Sequence, residues 1–282
     1  MIPSVVLREA IERALLEDLA GGDLTTEATV DEDTRAVGRA VAQAPLVACG
    51  ADVFAAVFVT LDPSLRVERL VDDGAEVEAG TGLWVVEGAA RSILLGERTA
   101  LNFVQRLSGI ATQTRRYVAA LPPGSRTRIT DTRKTTPGLR ALERYAVRCG
   151  GAHNHRDALG AGVLIKDNHI EAAGGVAAAV ARARARAPHT ARVEIEVESL
   201  PMLDAALAAG ADVVMLDNFA PDALRAALER ARGRALVEVS GRVTLERIGE
   251  LGALGVDVVS VGALTHSVPA SDIALDVTRL AE

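Results

Sequence analysis

Residues 193–217 read VEIEVESLPMLDAALAAGADVVMLD, and this stretch decides the fold. A β-branched apolar run, VEIEV, gives way at once to polar residues, then to an Ala/Leu-rich helical segment, then to a second apolar run that stops at Asp217. Short apolar runs bounded by polar residues suit strands, and the segment between them suits a helix. The same grammar recurs from about residue 126 to residue 266: RIT before Asp131, VLI before Lys166, VEIEV before Glu198, VVML before Asp217, LVEV before Ser240 and VVSV before Gly262. Such strands alternating with helices imply a parallel sheet covered on both faces. A series of them fits an α/β barrel first and an open doubly wound sheet second.

Upstream the texture changes. An amphipathic opening segment, MIPSVVLREAIERALLEDL, precedes strand-like pieces, RAVGRAVAQ, RVERLVDDGAEV and GLWVVEG, punctuated by Gly74, Gly80, Gly82 and Gly88. These predict a small α+β domain. A long helix follows in SILLGERTALNFVQRLSGIATQTRRYVAAL, with Leu94, Leu101, Val104 and Leu107 as its apolar stripe and Pro122 and Pro123 as its stop.

Thirty-one Lys and Arg against 38 Asp and Glu give a net charge of −7, and aromatic residues make up only 2%. That composition excludes a basic groove with stacking rings for single-stranded nucleic acid. The opening residues hold no apolar run long enough for a signal peptide or membrane span, which predicts a soluble, cytoplasmic protein. Cys49 and Cys149 stand far apart in sequence. They suggest neither a disulfide framework nor a thiolate metal site, and we expect two reduced structural cysteines.

The strand ends carry the chemistry. In a barrel, catalytic groups come from the C-terminal ends of different strands. Here those ends and the loops after them place Arg133, Lys134, His155, Arg156 and Lys166, a density of positive charge that the acidic whole does not predict. A multiply anionic ligand accounts for it. Glu194 and Glu196 share one face of their strand, and Glu196 lies near enough to the strand end to share a cavity with Asp217. Carboxylates beside an anion site suggest Mg²⁺ or hydrogen bonds to sugar hydroxyls. Ser240-Gly241 and Gly262-Ala263 follow the last two runs, where barrels often hold phosphate. Each feature also has a plain explanation: solvated cations at 133–134, a hydrogen-bonded loop histidine at 155, tight turns at Gly241 and Gly262. His153 and His169 lack suitably spaced partners for a metal, and ARARAR at 181–186 reads as a solvated helix face. Together the features favour an enzyme handling a phosphorylated sugar and a second anion, with a non-catalytic anion-binding scaffold as the alternative.

The segments EDLAGGDLTTEA, DTRKTTPGLRALERYAVRCGGAHNHRDAL, LIKDNHI, EIEVESL, MLDNF and VEVSGRVTLERI with GVDVVSVGALTHS, in that order, resemble the quinolinate phosphoribosyltransferase family along nearly the whole chain. The resemblance implies an N-terminal α/β sandwich over residues 1–110, rejoined by the tail 268–282, and an irregular, TIM-like seven-stranded α/β barrel over 111–267. It implies transfer of phosphoribose from phosphoribosyl pyrophosphate to quinolinate with decarboxylation, giving nicotinate mononucleotide, CO₂ and diphosphate in NAD biosynthesis. Mg²⁺ is the implied cofactor. The implied assembly is a homodimer with a shared active site, or a hexamer of such dimers, with no nucleic-acid or membrane partner.

Residue by residue, the resemblance assigns Arg98 to reach across the dimer to the quinolinate carboxylates. Thr132, Arg133, His155 and Arg156, with Lys166 beside them, would hold the rest of that substrate. Lys134, Glu196 and Asp217 would surround the ribose, the diphosphate and Mg²⁺, with Glu196 and Asp217 as the metal's direct or indirect ligands. Lys134, Lys166, Glu196 and Asp217 form the expected catalytic group. Ser240-Gly241-Arg242 and Val261-Gly262-Ala263 would form the phosphate loops. Two departures stand out: Arg242 replaces a glycine common at that loop, and Ala152-His153 replaces a glycine and an apolar residue. Within the same fold, a molybdenum-transport-associated paralogue or a nicotinate-specific phosphoribosyltransferase is the nearest rival.

Overall fold

The computed structural model describes residues 2–281, so the first residue of the opening segment and the last of the tail lie outside it. In chain order the elements are α1 (Ser4–Leu19), α2 (Leu24–Thr29), β1 (Arg35–Ala42), β2 (Leu46–Val47), α3 (Ala51–Leu61), β3 (Arg66–Arg69), β4 (Glu76–Val77), β5 (Gly82–Ala89) and the long α4 (Ala90–Ala119). There follow β6 (Arg128–Thr130), α5 (Arg140–Cys149), β7 (Val163–Ile165), α6 (Asp167–Ala173), α7 (Val176–Arg186), β8 (Val193–Val197), α8 (Leu200–Ala208) and β9 (Val213–Asp217). The chain ends with α9 (Pro221–Ala231), β10 (Leu236–Ser240), α10 (Leu245–Ala253), β11 (Val258–Ser260), α11 (Ala263–His266) and β12 (Ile273–Arg279). Contacts divide these into two units. One holds the described residues up to Arg115, Thr135–Gly151 and those from Leu264 onward; the other holds Arg116–Lys134 and Ala152–Ala263.

The first unit is built on a sheet in the order β12-β1-β5-β3, every pair antiparallel. Burial alternates along β1, and the buried positions Ala36, Ala40 and Ala42 are small. This is the period-two pattern of a strand with one face in the core. The core gathers Trp84 of β5 with Phe54 and Phe58 of α3, whose rings lie 5.3 Å and 4.9 Å apart in sequence around Phe54. Burying each such side chain contributes about 1.5–3 kcal/mol.

Residues 135–151 make their contacts chiefly within this first unit. The reason is a buried ion pair. Glu143 of α5 is fully buried and accepts from Arg106 Nη2 of α4 at 2.9 Å, from Thr136 Oγ1 at 2.7 Å and from the Thr136 amide at 3.1 Å. Arg106 also donates to the carbonyls of Val268 and Thr265. A buried carboxylate with this many donors fixes its helix to whatever supplies them.

The second unit is a six-stranded sheet in the order β6-β11-β10-β9-β8-β7, with every pair parallel. All six apolar runs read from the sequence are its strands. Helices follow the strands as their ends dictate; α8, for example, starts where Ser199 Oγ accepts from the Met202 amide, with Pro201 in the first turn. β6 and β7 are the terminal strands, and β6 carries one further parallel bridge, from Thr130 to His153. Among the described residues, no helix is long and apolar enough to cross a membrane.

Candidate active site

Because all six strands run the same way, their C-terminal ends collect on one side of the sheet, and register decides which residues meet. Ser240 of β10 pairs with Asp217 of β9, so the serine-glycine loop starts beside that carboxylate. Glu196 of β8 and Glu238 of β10 are both level with Met215 of β9.

Lys166, just past β7, forms an ion pair with Glu196. Asp217 lies close enough to this pair to sense it. Burial holds its carboxyl above the usual range, Glu196 pushes it further the same way, and Lys166 and Lys134 oppose the shift. Lys134, Lys166, Glu196 and Asp217 thus form one electrostatic group of two cations and two carboxylates. Asn218, in the left-handed region at φ 55°, donates to Asp217 Oδ2 at 2.7 Å.

The loop after β10 closes over the same point. Gly241 has φ 86°, and a β-carbon there would stand 2.6 Å from Asp217 Oδ1 and 2.5 Å from Asn218 Oδ1, so only glycine fits. Arg242 adopts φ 47°. The departure noted in the sequence therefore leaves the loop in a conformation a glycine would take, at the strain of a bulky residue in left-handed space. On the other side of β11, the Val261 amide donates to the Thr130 carbonyl at 2.9 Å, which sets the start of the Gly262-Ala263 turn.

A second group lies deeper in the sheet. Asp131, fully buried after β6, accepts from the His155 amide at 2.8 Å and from Asn154 Nδ2 at 2.5 Å. His155 Nε2 stands 3.4 Å from a carboxylate oxygen of Glu194 and 3.4 Å from one of Glu238. These contacts, Glu194 first, hold the imidazole pKa up at about 10 against its burial. The Arg156 amide donates to His155 Nδ1 at 2.7 Å, a contact that favours the neutral ring. One amide dipole is weaker than two carboxylates, so the shift is upward. The other oxygens of Glu194 and Glu238, with Thr130 Oγ1 and Ser260 Oγ, are buried without a hydrogen-bond partner among the described residues. Arg156 Nη1 donates to the Gly162 carbonyl at 2.9 Å, and burial and then the charge of Arg133 lower its pKa, which places two guanidinium groups near each other. Thr132 Oγ1 accepts from the Lys134 amide at 3.1 Å and shapes the turn that presents both cations.

Of the sequence-nominated residues, Lys134, Lys166, Glu196 and Asp217 gather beside Ser240 and Gly241, and His155 lies with Arg156 and Arg133, while Arg98 is exposed on α4 of the first unit. Sequence reading missed Glu238 and Asp131. Glu238 carried the signal that singled out Glu194: a carboxylate inside an apolar run, LVEV, as in VEIEV. Asp131 followed RIT as a plain strand-end residue, and nothing local distinguished it.

Parallel strand ends bearing clustered cations, paired carboxylates and a glycine loop are the arrangement with which α/β enzymes hold polyanionic, phosphate-bearing ligands. Comparison with known proteins narrows the class. The C-terminal domain of quinolinate phosphoribosyl transferase matches residues 110–276, and the N-terminal domain of the same family matches residues 23–108. The nicotinate-nucleotide pyrophosphorylase (carboxylating) of Mycobacterium leprae is 47% identical over 278 residues, covering 95% of this chain and 96% of its own. The crystal structure of NadC from Streptococcus pyogenes superposes with a TM-score of 0.95 at 39% identity, covering 100% of this chain and 99% of that one. The nicotinate-nucleotide pyrophosphorylase of Francisella tularensis gives 0.93 at 40% identity, with 99% and 98% covered. The chain belongs to the quinolinate phosphoribosyltransferase family.

Proposed function

We propose that the chain transfers phosphoribose from phosphoribosyl pyrophosphate to the ring nitrogen of quinolinate and releases the 2-carboxylate as CO₂, giving nicotinate mononucleotide and diphosphate for NAD biosynthesis. The observation that carries this is the Lys134, Lys166, Glu196 and Asp217 group, held beside the Gly241 loop at the strand ends of a chain that matches both domains of the family, over residues 23–108 and 110–276.

The reaction sets the demands. As nitrogen attacks the anomeric carbon, positive charge grows on the sugar and negative charge on the leaving diphosphate. Glu196 and Asp217 face the first, and Lys134 and Lys166 the second. Arg133, Arg156, Thr132 and His155 clamp the quinolinate carboxylates and fix the nitrogen for attack, with Lys166 within reach. Once the bond has formed, the cationic ring nitrogen stabilises the electron pair left on C2 as the C–C bond breaks and CO₂ departs, and a proton from solvent then takes the carboxylate's place, so decarboxylation needs no organic cofactor. Ser240, Gly241 and Arg242 on one loop and Val261, Gly262 and Ala263 on the other hold the 5′-phosphate.

Mg²⁺ fits the donor set. Glu196 and Asp217 are hard oxygen ligands that repel each other, and Mg²⁺ commonly takes one or two carboxylates plus substrate phosphate oxygens. It would supply charge neutralisation on the diphosphate. We also take the parallel sheet to close as a seven-stranded barrel, with His153 on the seventh strand; its bridge to Thr130 supports this.

Arg98 is assigned to the neighbouring subunit's site in a homodimer. Mixing inactive Arg98→Ala and Lys134→Ala proteins would then restore about a quarter of wild-type activity, because half the random dimers carry one intact site out of two. No recovery after subunit exchange contradicts the shared site. For the reaction, mass spectrometry of purified protein with phosphoribosyl pyrophosphate, Mg²⁺ and either quinolinate or nicotinate decides. Nicotinate mononucleotide and CO₂ from quinolinate alone support the assignment; turnover of nicotinate, or of neither acid, overturns it.

A further inference from the structure

Cys49 and Cys149 lie a hundred residues apart in sequence, yet the fold of the first unit brings their sulfurs and a carboxylate oxygen of Asp73 within 4.8 Å of one another. Both thiols are reduced, as expected, but they are neighbours in the fold. Both cysteines are unbridged, Cys49 is fully buried and Cys149 is partly exposed.

The backbone around the pair is pinned. Cys49 leads into α3 and Cys149 ends α5. The Cys49 amide donates to Ser108 Oγ at 3.1 Å, and Gly74 donates to the Ala48 carbonyl at 2.8 Å. Arg115 donates to the carbonyls of Gly150, Gly74 and Cys149 at 3.0, 3.2 and 3.3 Å. Gly150 is wedged so tightly that a β-carbon would stand 2.6 Å from the Ala111 carbonyl. To reach disulfide length the sulfurs close at most about 3 Å, a distance side-chain rotation covers.

A metal site fits these residues poorly. Asp73 Oδ1 already accepts from the Ala51 amide at 3.0 Å and Oδ2 from Tyr145 Oη at 2.7 Å. Two sulfurs remain, too few for a closed zinc site. The two thiols also differ in character. Burial pushes Cys49 well up, whereas Cys149 is drawn below the ordinary thiol value, chiefly by its hydrogen bond with Cys49. A partly exposed, thiolate-prone sulfur backed by a buried thiol is the arrangement of an attacked cysteine and its resolving partner.

We propose that Cys49 and Cys149 form an oxidisable dithiol, in which hydrogen peroxide converts Cys149 to a sulfenic acid that Cys49 resolves to an intramolecular disulfide. In the first step one peroxide oxygen passes to the Cys149 sulfur, the O–O bond breaks and water leaves. In the second, the Cys49 sulfur attacks that sulfur, the S–O bond breaks, and the departing hydroxide takes up the Cys49 proton. Two thiols are oxidised by two electrons in total and one peroxide is reduced to two waters. The product ties the start of α3 to the end of α5, independently of the catalytic reading above.

The test treats the full-length protein with hydrogen peroxide, alkylates it after unfolding, and reads intact mass and peptides. Expected are the loss of two hydrogens, no alkylation at either cysteine, a single cross-linked peptide joining 49 to 149 within one chain, and full reversal by dithiothreitol. In Cys149→Ser, Cys49 stays alkylatable after the same treatment. The proposal is overturned if Cys149 proceeds to sulfinic acid while Cys49 remains a thiol, if the disulfide joins two chains, or if Cys49 is oxidised equally fast in Cys149→Ser. Retention of stoichiometric zinc by the untreated protein, with its thiols then protected, overturns it as well.

Discussion

At the N-terminal ends of the parallel strands, Arg192, Arg232, Arg234, Asp212 and Asp257 line a cavity of about 590 Å³. At the opposite ends lie Lys134, Lys166, Glu196, Asp217 and the Gly241 loop. Both ends are charged, and the first is roomy, so charge and volume alone would not choose between them. The partners do. Asp212 Oδ2 accepts from the Val193 amide at 2.8 Å and Asp257 Oδ2 from the Val237 amide at 2.8 Å, so these carboxylates hold the starts of neighbouring strands, and Asp212 also pairs with Arg184 at 3.3 Å. Glu196 and Asp217 instead face lysines and each other, and Asp217 bears a raised pKa. Carboxylates tied to the backbone serve the fold. Carboxylates crowded together beside cations are the ones we propose to serve a ligand.

The sharpest way to break this contrast is a pair of substitutions. Lys166→Ala is expected to lower kcat/KM by about 10²–10³-fold, as loss of a transition-state charge partner does, with little change in melting temperature. Asp257→Ala is expected to leave turnover per folded molecule intact and to lower stability by about 1–3 kcal/mol, since the buried Val237 amide loses its acceptor. Steady-state kinetics and thermal melts on both variants check this. Equal melting losses would erase the distinction.

Arg133→Ala comes next, with a rise of tenfold or more in KM for quinolinate, roughly the lower end of losing a buried charge partner, and a smaller rise for phosphoribosyl pyrophosphate. Parallel rises would remove Arg133 from the quinolinate clamp.

A smaller effect appears in the pH dependence of stability. The His155 pKa is raised from 6.5 to about 10 by Glu194 and Glu238. Its contribution is therefore complete below pH 6.5 and lost as pH rises through about 10. Glu194, whose carboxyl is held up by burial, acts in the same sense. Denaturant midpoints across that window should fall for the wild type and flatten in Glu238→Gln. The smallest effect is expected from Arg242→Gly, which relieves left-handed strain and raises stability by no more than about 1 kcal/mol, read from the same midpoints.

Much of the second unit was legible in the sequence because its signals are local. Each apolar run of three to five residues became a strand, and the polar residue after it marked the strand end. Glu238 was equally legible and went unread, since LVEV lacks the doubled carboxylate that draws attention to VEIEV. The placement of α5 was not legible. It depends on Arg106 meeting Glu143, a contact between helices that no periodicity encodes. Nor was the thiol pair, because a separation of a hundred residues carries no spacing signal.

The measurement that bears most directly on the contrast between the two sheet ends is a crystal structure with quinolinate bound. The ring should lie at the C-terminal strand ends, with its carboxylates on Arg133, Arg156 and Lys166 and its nitrogen turned toward the Glu196 and Asp217 side. Quinolinate found instead among Arg192, Arg232 and Arg234 at the opposite end would contradict the account.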